Sequence, residues 1–420
     1  MIKRQLEDWL ARQVGKPHIV QIQGLRQTGK TTLMDYFRTR FPKALHFPLQ
    51  NLPLFQRYEA APERWSLEIE QALKKTQTEG TEPLHVFVDE IQKIPLLYHA
   101  IQGLYDAHKG KIKFWIWGSS ARPVKRKRAE TLAGRVFTKI LMPLSQEEIF
   151  GEKSIIPSLT DPEKFLAMGR IEPDHYALHL QNLFRKSALP EPYLSEENET
   201  AALILESYQA TYLENEIRRE NLVQDTGIFQ KFLVLAASED TTIANYAAKA
   251  KVLGISPVTV QNYYHILEDT FVCSLLPAYS GSVRIQISKS PKIHFADPGI
   301  ARFTAGERGE VPPQTASFGK WFEAMVIAEF QKQVECYDLP WKLFYFRSKG
   351  GLETDLVIQT PEITFACEIK GTDRIDPTHF RNLEKFRELD PSIHHGIVIS
   401  LDPRLSELAP NIYHIPAWDL

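Results

Sequence analysis

The sequence predicts an α/β protein with a parallel sheet near its amino end, a small helical domain in the middle and a second α/β domain at its carboxyl end. In residues 1–150, nearly continuous apolar strands alternate with helical segments, which is typical of a parallel sheet covered on both faces. Residues 225–315 show helical periodicity with one β element, and residues 316–420 return to helices and strands in a different order. Several domains are therefore expected, since 420 residues can hold two to four of them at roughly 100–200 residues each.

These changes of pattern also predict where the domains begin and end. We assign residues 1–150, 225–315 and 316–420 to the three domains, and residues 151–224 to a helical connector or lid that carries no motif. The best linker candidate is the stretch 305–316, which is rich in Pro, Gly and Glu. Within the first domain, strands are expected over 18–23, 44–48, 84–88, 113–117 and 136–142, and helices near 62–78 and 95–108.

Composition and charge indicate an ordinary globular chain. Hydrophobic residues make up 43% and charged residues 24% of the sequence, which is ample for buried cores. The formal net charge of −2 argues neither for nor against nucleic acid, because such binding depends on local patches. The three cysteines lack metal-ligand spacing, and we expect reduced, packed thiols at Cys273, Cys336 and Cys367. With no secretion signal and no run of ~18 apolar residues, the sequence predicts a cytoplasmic protein without a membrane partner.

Residues 24–31 match the phosphate-binding pattern G-x-x-x-x-G-K-[ST]. An apolar run precedes the motif and a helical pattern follows it, which is the strand–loop–helix setting that the motif requires. The glycines let backbone N–H groups turn toward a polyphosphate, while Lys30 would reach the β- and γ-phosphates and the Thr31 hydroxyl would ligate Mg²⁺. The alternative is a Gly-rich turn that binds no phosphate. The loop residues expected around the nucleotide are Gly24, Arg26, Gln27, Thr28, Gly29, Lys30, Thr31 and Thr32.

Two carboxylates follow the apolar strand over 84–88. An acidic residue at the tip of such a strand can hold the Mg²⁺ shell, so Asp89 is assigned that role. Glu90 beside it would polarise the attacking water, which distinguishes hydrolytic motors and switches from kinases of the same fold. A solvated strand end is the alternative interpretation.

Other polar residues of the first domain have open roles. Ser119 follows the strand that ends at Trp117, and it would sense the γ-phosphate. Arg135 would act as an arginine finger in cis or in trans, and a surface salt bridge is an equal alternative. The basic run 125–128 could grip phosphate backbones, but a solvated loop is the favoured interpretation.

The segment 228–277 has the pattern of a winged helix-turn-helix. After a first helix with an apolar face, a second helix is expected to start at Thr242. Gly254 as a C-capping residue, Ser256 as an N-cap and Pro257 at the first helical position then predict a third helix that runs to residue 269. An apolar strand would begin the wing.

The third helix of this segment would present its polar side to a DNA groove. The side chains expected there are Thr259, Gln261, Asn262 and His265. This helix is not basic and ends in Glu268 and Asp269, and many winged helices bind proteins instead. DNA and a protein partner are therefore equal alternatives for this module.

The carboxyl-terminal domain carries a constellation like that of a nuclease. Two predicted strands joined by a turn at 360–362 would bring Asp355, Glu368 and Lys370 together. Two carboxylates could hold Mg²⁺ or Mn²⁺, and the ammonium could orient or deprotonate a water for phosphodiester cleavage. Glu323 on the preceding helix could add a third carboxylate. The alternative is a surface salt-bridge network on a small α/β domain, including a domain that keeps the fold and has lost the activity.

Together these motifs resemble a prokaryotic family of AAA-type P-loop ATPases with an appended C-terminal domain of unknown function. The matching positions are 24–32, 86–95, 118–122, 132–135, 143–145, 148, the winged-helix segment, 319–323, 355 and 368–370. The resemblance implies an AAA/ASCE-type P-loop NTPase fold, ATP binding and hydrolysis, and a last domain similar to restriction-endonuclease-like PD-(D/E)xK nucleases. The basic run 125–128 and Thr354, where such members often have a hydrophobic residue, depart from the pattern without affecting the ATP site.

The sequence therefore predicts a Mg²⁺-dependent ATPase whose nucleotide state governs a winged helix and a nuclease-like domain, in DNA processing or in defence against mobile elements. The expected catalytic residues are Lys30, Glu90, Asp355, Glu368 and Lys370, and the expected metal ligands are Thr31, Asp89, Glu323, Asp355 and Glu368. One alternative is an ATP-dependent signalling switch that recruits protein partners through an inactive scaffold. Another is a DNA-binding regulator that the ATPase gates. The oligomeric state stays open.

Overall fold

The computed structural model describes residues 2–79, 82–118, 132, 134–169, 172–173, 175–212, 217, 223–282, 286 and 289–420. The chain divides into two compact units, one formed by Met1–Met142 with Asp269–Phe271 and the other by Pro143–Glu268 with Val272–Leu420. The finer domain boundaries given above stay predictions.

The first unit contains a five-stranded parallel sheet. Its strands are β1 (Ile19–Gln23), β2 (Leu45–Pro48), β3 (Leu84–Asp89), β4 (Ile112–Trp117) and β5 (Val136–Ile140). The order across the sheet is β2-β3-β4-β1-β5, so β4 lies between the strand that leads into the glycine loop and the strand that ends at Asp89. Every residue of β1, β3 and β4 is buried, as expected for strands covered on both faces. The parallel α/β sheet predicted for this region is confirmed.

Helices cover both faces of this sheet. They are α1 (Leu6–Gln13), α2 (Lys30–Arg38), α3 (Leu52–Ala60), α4 (Pro62–Glu79) and α5 (Leu96–Ala107), with a 3₁₀ turn at Ile91–Lys93. Phe114 and Ile116 of β4 belong to the core that includes α3, α4 and α5, whereas Trp115 and Trp117 belong to the core that includes α1 and α2. Because successive strand residues point to opposite faces, one strand contributes to two cores and its register is fixed.

The second unit begins with a run of helices. They are α6 (Gln146–Phe150), α7 (Pro162–Leu166), α8 (Tyr176–Lys186), α9 (Pro190–Leu194) and α10 (Asn198–Tyr212), with a 3₁₀ turn at Ile156–Ser158. This helical content agrees with the helix-prone character of the connector sequence.

Three helices and a β-hairpin follow. They are α11 (Thr226–Ser238), α12 (Tyr246–Leu253), α13 (Pro257–Asp269), β6 (Cys273–Leu276) and β7 (Lys292–Phe295), and the two strands pair in antiparallel. The prediction that the second of these helices starts at Thr242 is wrong. Its N-cap is Asn245, whose side chain accepts the Ala248 N–H, because Ile243 is held in a β-bridge with Lys292. These are the parts that a winged helix-turn-helix needs, and that assignment stays a prediction.

A six-stranded sheet forms the carboxyl-terminal part of the second unit, in the order β12-β13-β11-β10-β9-β8. The strands are β8 (Lys342–Arg347), β9 (Glu353–Gln359), β10 (Thr364–Lys370), β11 (Ile393–Ser400), β12 (Ser406–Ala409) and β13 (Ile412–Pro416). Two helices, α14 (Pro298–Thr304) and α15 (Ala316–Cys336), precede the sheet, and α16 (Arg381–Leu389) lies between β10 and β11. There are 3₁₀ turns at Pro377–His379 and Ala417–Asp419. Strand β9 is antiparallel to both of its neighbours, β8 and β10, whereas β10, β11 and β13 are parallel. The predicted order of helix, three strands, helix and strand is present. The last two strands were not predicted.

Across the part of the chain that the structure describes, no helix is both long and apolar enough to span a bilayer.

Candidate functional site

Three residues of the loop between β1 and α2 have a positive φ, a backbone conformation that glycine adopts easily and other residues adopt rarely. Gly24, Gln27 and Gly29 have φ of +143°, +60° and +86°. A Cβ at Gly24 would lie 2.3 Å from the carbonyl oxygen of Leu141, so the loop passes against the residue that follows β5, where only glycine fits. Arg26 is half-buried, Gln27 and Thr32 are exposed, and the loop leads into the amino end of α2. Successive N–H groups at such a turn before a helix form an anion-binding concavity.

The Lys30 side chain lies inside this loop. Its Nζ donates to the carbonyl oxygens of Gly24 at 2.8 Å and Leu25 at 2.6 Å, and the residue is only 6% exposed. The Thr28 hydroxyl donates to the same Leu25 oxygen at 2.9 Å. The loop is therefore held closed from within by its own ammonium, which is the group predicted to reach phosphates.

A residue that the sequence analysis did not identify supports the loop from outside the motif. The buried Arg4 guanidinium donates to the carbonyl oxygens of Thr28 at 2.6 Å and Met142 at 2.7 Å. It thereby ties the loop to the chain that follows β5. Hydrogen bonds from a charged donor are stronger than those between neutral groups. No spacing in the sequence indicated this role, because Arg4 is distant from the motif in the chain.

Asp89 lies next to the start of α2, as the Mg²⁺ prediction requires. The Thr31 hydroxyl donates to Asp89 Oδ2 at 3.3 Å, and Trp117 Nε1 lies 3.4 Å from that hydroxyl oxygen. Asp89 is fully buried, and this burial, followed by the charge of Glu90, raises its pKa to about 7. Among the described residues its Oδ1 has no hydrogen-bond partner. A buried carboxylate oxygen that lacks a donor beside a threonine hydroxyl fits a Mg²⁺ ion, which prefers oxygen ligands.

Glu90 occupies a strained position directly after β3. Its φ of +52° is rare for a residue with a side chain, and such strain is common at functional sites. The Gln92 amide donates to Glu90 Oε2. A Cβ at Gly118, at the end of β4, would lie 2.1 Å from Gln92 Oε1, so Gln92 packs between the carboxylate and this strand end. The sequence analysis did not identify Gln92, although it follows Glu90 by two positions.

Arg135 lies at the opposite end of the sheet from the glycine loop. Its carbonyl oxygen accepts the N–H of Ile19, the first residue of β1, whereas the loop follows Gln23 at the other end of that strand. Its guanidinium forms two hydrogen bonds with Asp106, at 2.8 and 3.1 Å. This position corrects the prediction of an arginine finger in cis, since the Arg135 side chain cannot reach phosphates in the glycine loop of the same chain. The salt-bridge alternative describes what is observed, and a role in trans stays a prediction.

Two features predicted for the first domain lie outside the described residues. They are Ser119, expected near the γ-phosphate, and the basic run 125–128.

In the second unit, the structure brings together the three residues of the nuclease-like constellation. Lys370 Nζ lies 2.6 Å from Glu368 Oε2 and 3.7 Å from Asp355 Oδ2, and Asp355 also accepts the N–H of Ile369 at 2.8 Å. Glu368 is 2% exposed, and burial, followed by the charge of Asp355, raises its pKa to about 8. Burial lowers the pKa of Lys370, but the two carboxylates outweigh it and raise the pKa overall.

Glu323 of α15 belongs to the same group. Burial, followed by the charge of Asp355, raises the pKa of Glu323 to about 7. Its Oε1 lies 2.6 Å from the ammonium of Lys292, a residue that the sequence analysis did not identify. We call Glu323, Asp355 and Glu368, together with Lys370, the acidic cluster.

The acidic cluster does not fit a metal ion as it is arranged. Over the ranges that the structure describes, no three His, Cys, Asp or Glu side chains are placed to hold one. At two of the carboxylates the contacts are instead with ammoniums, those of Lys292 at Glu323 and Lys370 at Glu368. The metal-ligand prediction for Glu323, Asp355 and Glu368 stays a prediction.

On helix α13, Gln261, Asn262 and His265 are exposed as predicted for a groove-facing side. Thr259 is half-buried, and its side chain lies 2.8 Å from the Ser256 hydroxyl at the start of the helix. The structure thus leaves three of the four predicted side chains available for contact.

Comparison with protein families assigns the first segment. Residues 12–150 match the model of the AAA domain family. Residues 179–310 match a domain of unknown function, DUF8612, and residues 318–420 match another, DUF4143. These matches give no function to the second unit.

Individual relatives are distant. The uncharacterized protein Rv2008c of Mycobacterium tuberculosis is 22% identical over 364 residues, which cover 86% of this chain and 72% of that protein. Among solved structures, the Walker-type ATPase PABY2304 of Pyrococcus abyssi is 13% identical, with a TM-score of 0.48 over 72% of this chain and 96% of that one. A STAND protein of Pyrococcus horikoshii with a tetratricopeptide repeat sensor is also 13% identical, with a TM-score of 0.26 over 78% of this chain and 45% of that one.

Proposed function

We propose that the first unit binds ATP with Mg²⁺ and hydrolyses it. The observation that carries this proposal is the buried Asp89 carboxylate, which has one oxygen bonded to Thr31 and the other without a partner among the described residues. Burying an ionised carboxylate without a counter-charge is unfavourable, so a site of this kind is suited to a cation. The match of residues 12–150 to the AAA domain family supports the choice of ATP.

Each residue has a separate role in this proposal. Lys30 exchanges its two carbonyl contacts for oxygens of the β- and γ-phosphates, with which its hydrogen bonds are charge-assisted. The loop N–H groups surround the phosphates, and Thr31 and Asp89 hold Mg²⁺. When bound, Mg²⁺ neutralises charge on the phosphate oxygens. Glu90, held by the Gln92 amide, orients the attacking water and takes its proton.

The test of this proposal is the Lys30→Ala variant. Two charge-assisted hydrogen bonds are each worth about 1.5–3 kcal/mol, so we expect ATP affinity to fall by about 100-fold or more and phosphate release to disappear. Equilibrium dialysis with labelled ATP and Mg²⁺ measures the first effect, and a phosphate-release assay measures the second. Lys74→Ala is the matched control, because Lys74 is exposed on α4. Absence of saturable ATP binding by the wild-type protein would contradict the proposal.

The second part of the proposal is that ATP turnover controls DNA binding and processing by the second unit. The convergence of Asp355, Glu368 and Lys370 supports phosphodiester chemistry, and Glu368 Oε1 is buried without a partner among the described residues. The exposed polar side chains of α13 support a DNA contact. The ammoniums in the acidic cluster favour the alternative, in which the second unit is an inactive scaffold and the protein is an ATP-dependent signalling switch.

Plasmid cleavage separates these functions. If the second unit cuts DNA, supercoiled plasmid with Mg²⁺ or Mn²⁺ is expected to be nicked or linearised by the wild-type protein and left intact by Asp355→Asn. Gel electrophoresis measures the products, and Asp373→Asn provides a control at an exposed carboxylate. Salt-dependent DNA binding without cleavage would support the ATPase-gated regulator instead, and neither binding nor cleavage would support the switch.

A further inference from the structure

Lys292 contacts the acidic cluster but belongs to no motif of the sequence. Its side chain is buried, with the residue 3% exposed, and its ammonium lies 2.6 Å from Glu323 Oε1. The charges of Asp355 and Glu353 act on it as well. A lysine is seldom buried unless it is paired, so this position is determined by the carboxylates around it.

Lys292 reaches the acidic cluster from a different element of the fold. It is the first residue of β7, where it pairs with Leu276 of β6 and forms a bridge with Ile243 ahead of α12. Glu323 lies on α15, the helix that precedes the last sheet. The ion pair therefore links the β6–β7 hairpin to the acidic cluster.

The hairpin is also fastened to the last sheet by its backbone. The N–H of Tyr345 in β8 donates to the Pro277 oxygen at 3.0 Å, and the Tyr345 oxygen accepts the N–H of Tyr279 at 2.6 Å. The Tyr345 hydroxyl donates to the carbonyl oxygen of Ser290, two residues before Lys292, at 2.7 Å. These contacts hold Lys292 in place, so its ammonium leaves Glu323 only if the side chain swings out or the hairpin moves.

The charges of the acidic cluster show what Lys292 does there. Glu323, Asp355 and Glu368 carry three negative charges when ionised, and Lys370 compensates one of them. The Lys292 ammonium compensates a second. The remaining feature is Glu368 Oε1, which is buried and has no hydrogen-bond partner among the described residues. Without Lys292, Glu323 Oε1 would lose its ammonium partner and become available to a hard divalent cation, which prefers oxygen ligands.

We propose that Lys292 is an internal cation that closes the acidic cluster, so that its ammonium and a divalent metal ion are mutually exclusive occupants. This inference rests on the proposed DNA processing in one respect, because the carboxylates that would bind the metal ion for DNA cleavage are the ones that Lys292 closes off. A divalent ion and the Lys292 ammonium would compete for the same Glu323 oxygen. The arrangement explains why the carboxylates predicted as metal ligands converge without forming a metal site.

The experiment measures Mn²⁺ binding to the full chain by the loss of the free-ion EPR signal. All variants carry Asp89→Asn, which removes the carboxylate proposed to bind metal in the first unit. We expect Lys292→Met to bind Mn²⁺ at least 10-fold more tightly than the parent, and Lys292→Arg to resemble the parent because it keeps the positive charge. Lys289→Met is the matched control, since Lys289 is exposed nearby in the sequence and donates to the Arg347 carbonyl oxygen. Adding Asp355→Asn to Lys292→Met is expected to abolish the gain.

Other outcomes separate this inference from the proposed DNA processing. Equal or weaker Mn²⁺ binding by Lys292→Met overturns the inference, and Lys292→Gln repeats the test with a polar side chain should the methionine variant fold poorly. Tighter Mn²⁺ binding without plasmid cleavage supports the closing role of Lys292 while rejecting the nuclease. If the parent cleaves plasmid and loss of Lys292 leaves the Mn²⁺ affinity unchanged, the nuclease is supported and the inference about Lys292 is overturned.

Discussion

Replacement of Glu90 by Gln is expected to slow ATP hydrolysis by about 100- to 10,000-fold while leaving ATP affinity nearly unchanged, if Glu90 acts as the general base. The amide has the same size as the carboxylate, but it cannot take a proton from water. Glu90 is not part of the loop that surrounds the phosphates, so the contacts that bind ATP should persist. Single-turnover phosphate release measures the rate, and dialysis with labelled ATP measures the affinity.

Two further variants test whether the loss of hydrolysis rate is specific to the Glu90 carboxylate. Glu63→Gln makes the same chemical change at an exposed position of α4 and is expected to have no effect. Gln92→Ala removes the amide that contacts Glu90, and it should lower the rate less than Glu90→Gln because the base itself remains. Unchanged hydrolysis in Glu90→Gln would show that another group activates the water.

The first sheet could be predicted because its signal is local. Strands β3 and β4 are continuous apolar runs, and burial of both faces is what such runs require. The glycine loop could be predicted for a similar reason, since its chemistry is written in eight consecutive residues. Asp89 and Glu90 then followed from their position at the end of β3.

The parts that could not be predicted depend on contacts between distant segments. Arg4 supports the loop through two carbonyl oxygens far from it in the chain, and Lys292 reaches Glu323 from another element. The start of α12 was misplaced because Ile243 pairs with Lys292 instead of joining the helix. None of these contacts has a characteristic spacing in the sequence, and at Ile243 the tertiary pairing overrides the local helix propensity.

The acidic cluster of the second unit also includes a contact between distant segments that the sequence does not indicate. The spacing of Glu368 and Lys370 placed them together, and the structure has their charged atoms 2.6 Å apart. The carboxylates of Asp355 and Glu368 also predicted a metal site, and no sequence pattern indicated that a lysine on β7 would contact Glu323 beside them. A motif shows which groups meet, whereas the net charge where they meet depends on the whole fold.

Replacement of Gly24 by Ala is expected to destabilise the first unit and to abolish ATP binding. Its φ of +143° is one that side chains rarely permit, and the new Cβ would lie 2.3 Å from the Leu141 carbonyl oxygen. That oxygen cannot move away at low cost, because the Leu141 N–H donates to Gln23 at 2.7 Å and so holds the backbone in place. Backbone strain costs about 1–3 kcal/mol and overpacking about 1–3 kcal/mol, so the free energy of unfolding should fall by about 2–6 kcal/mol. Urea denaturation measures it.

Gly110→Ala separates the close approach from the effect of the backbone angle. Gly110 also has a positive φ, +80°, but no atom lies within 4 Å of the position its Cβ would take. Only the cost of a left-handed conformation applies there, about 1–2 kcal/mol, and ATP affinity should be unchanged because the residue is in the turn before β4. Equal destabilisation of the two variants would mean that the backbone at Leu141 yields to the new methyl group at Gly24. In that case the loop is adaptable, and the contact with Leu141 does not determine how it presents its N–H groups to a phosphate.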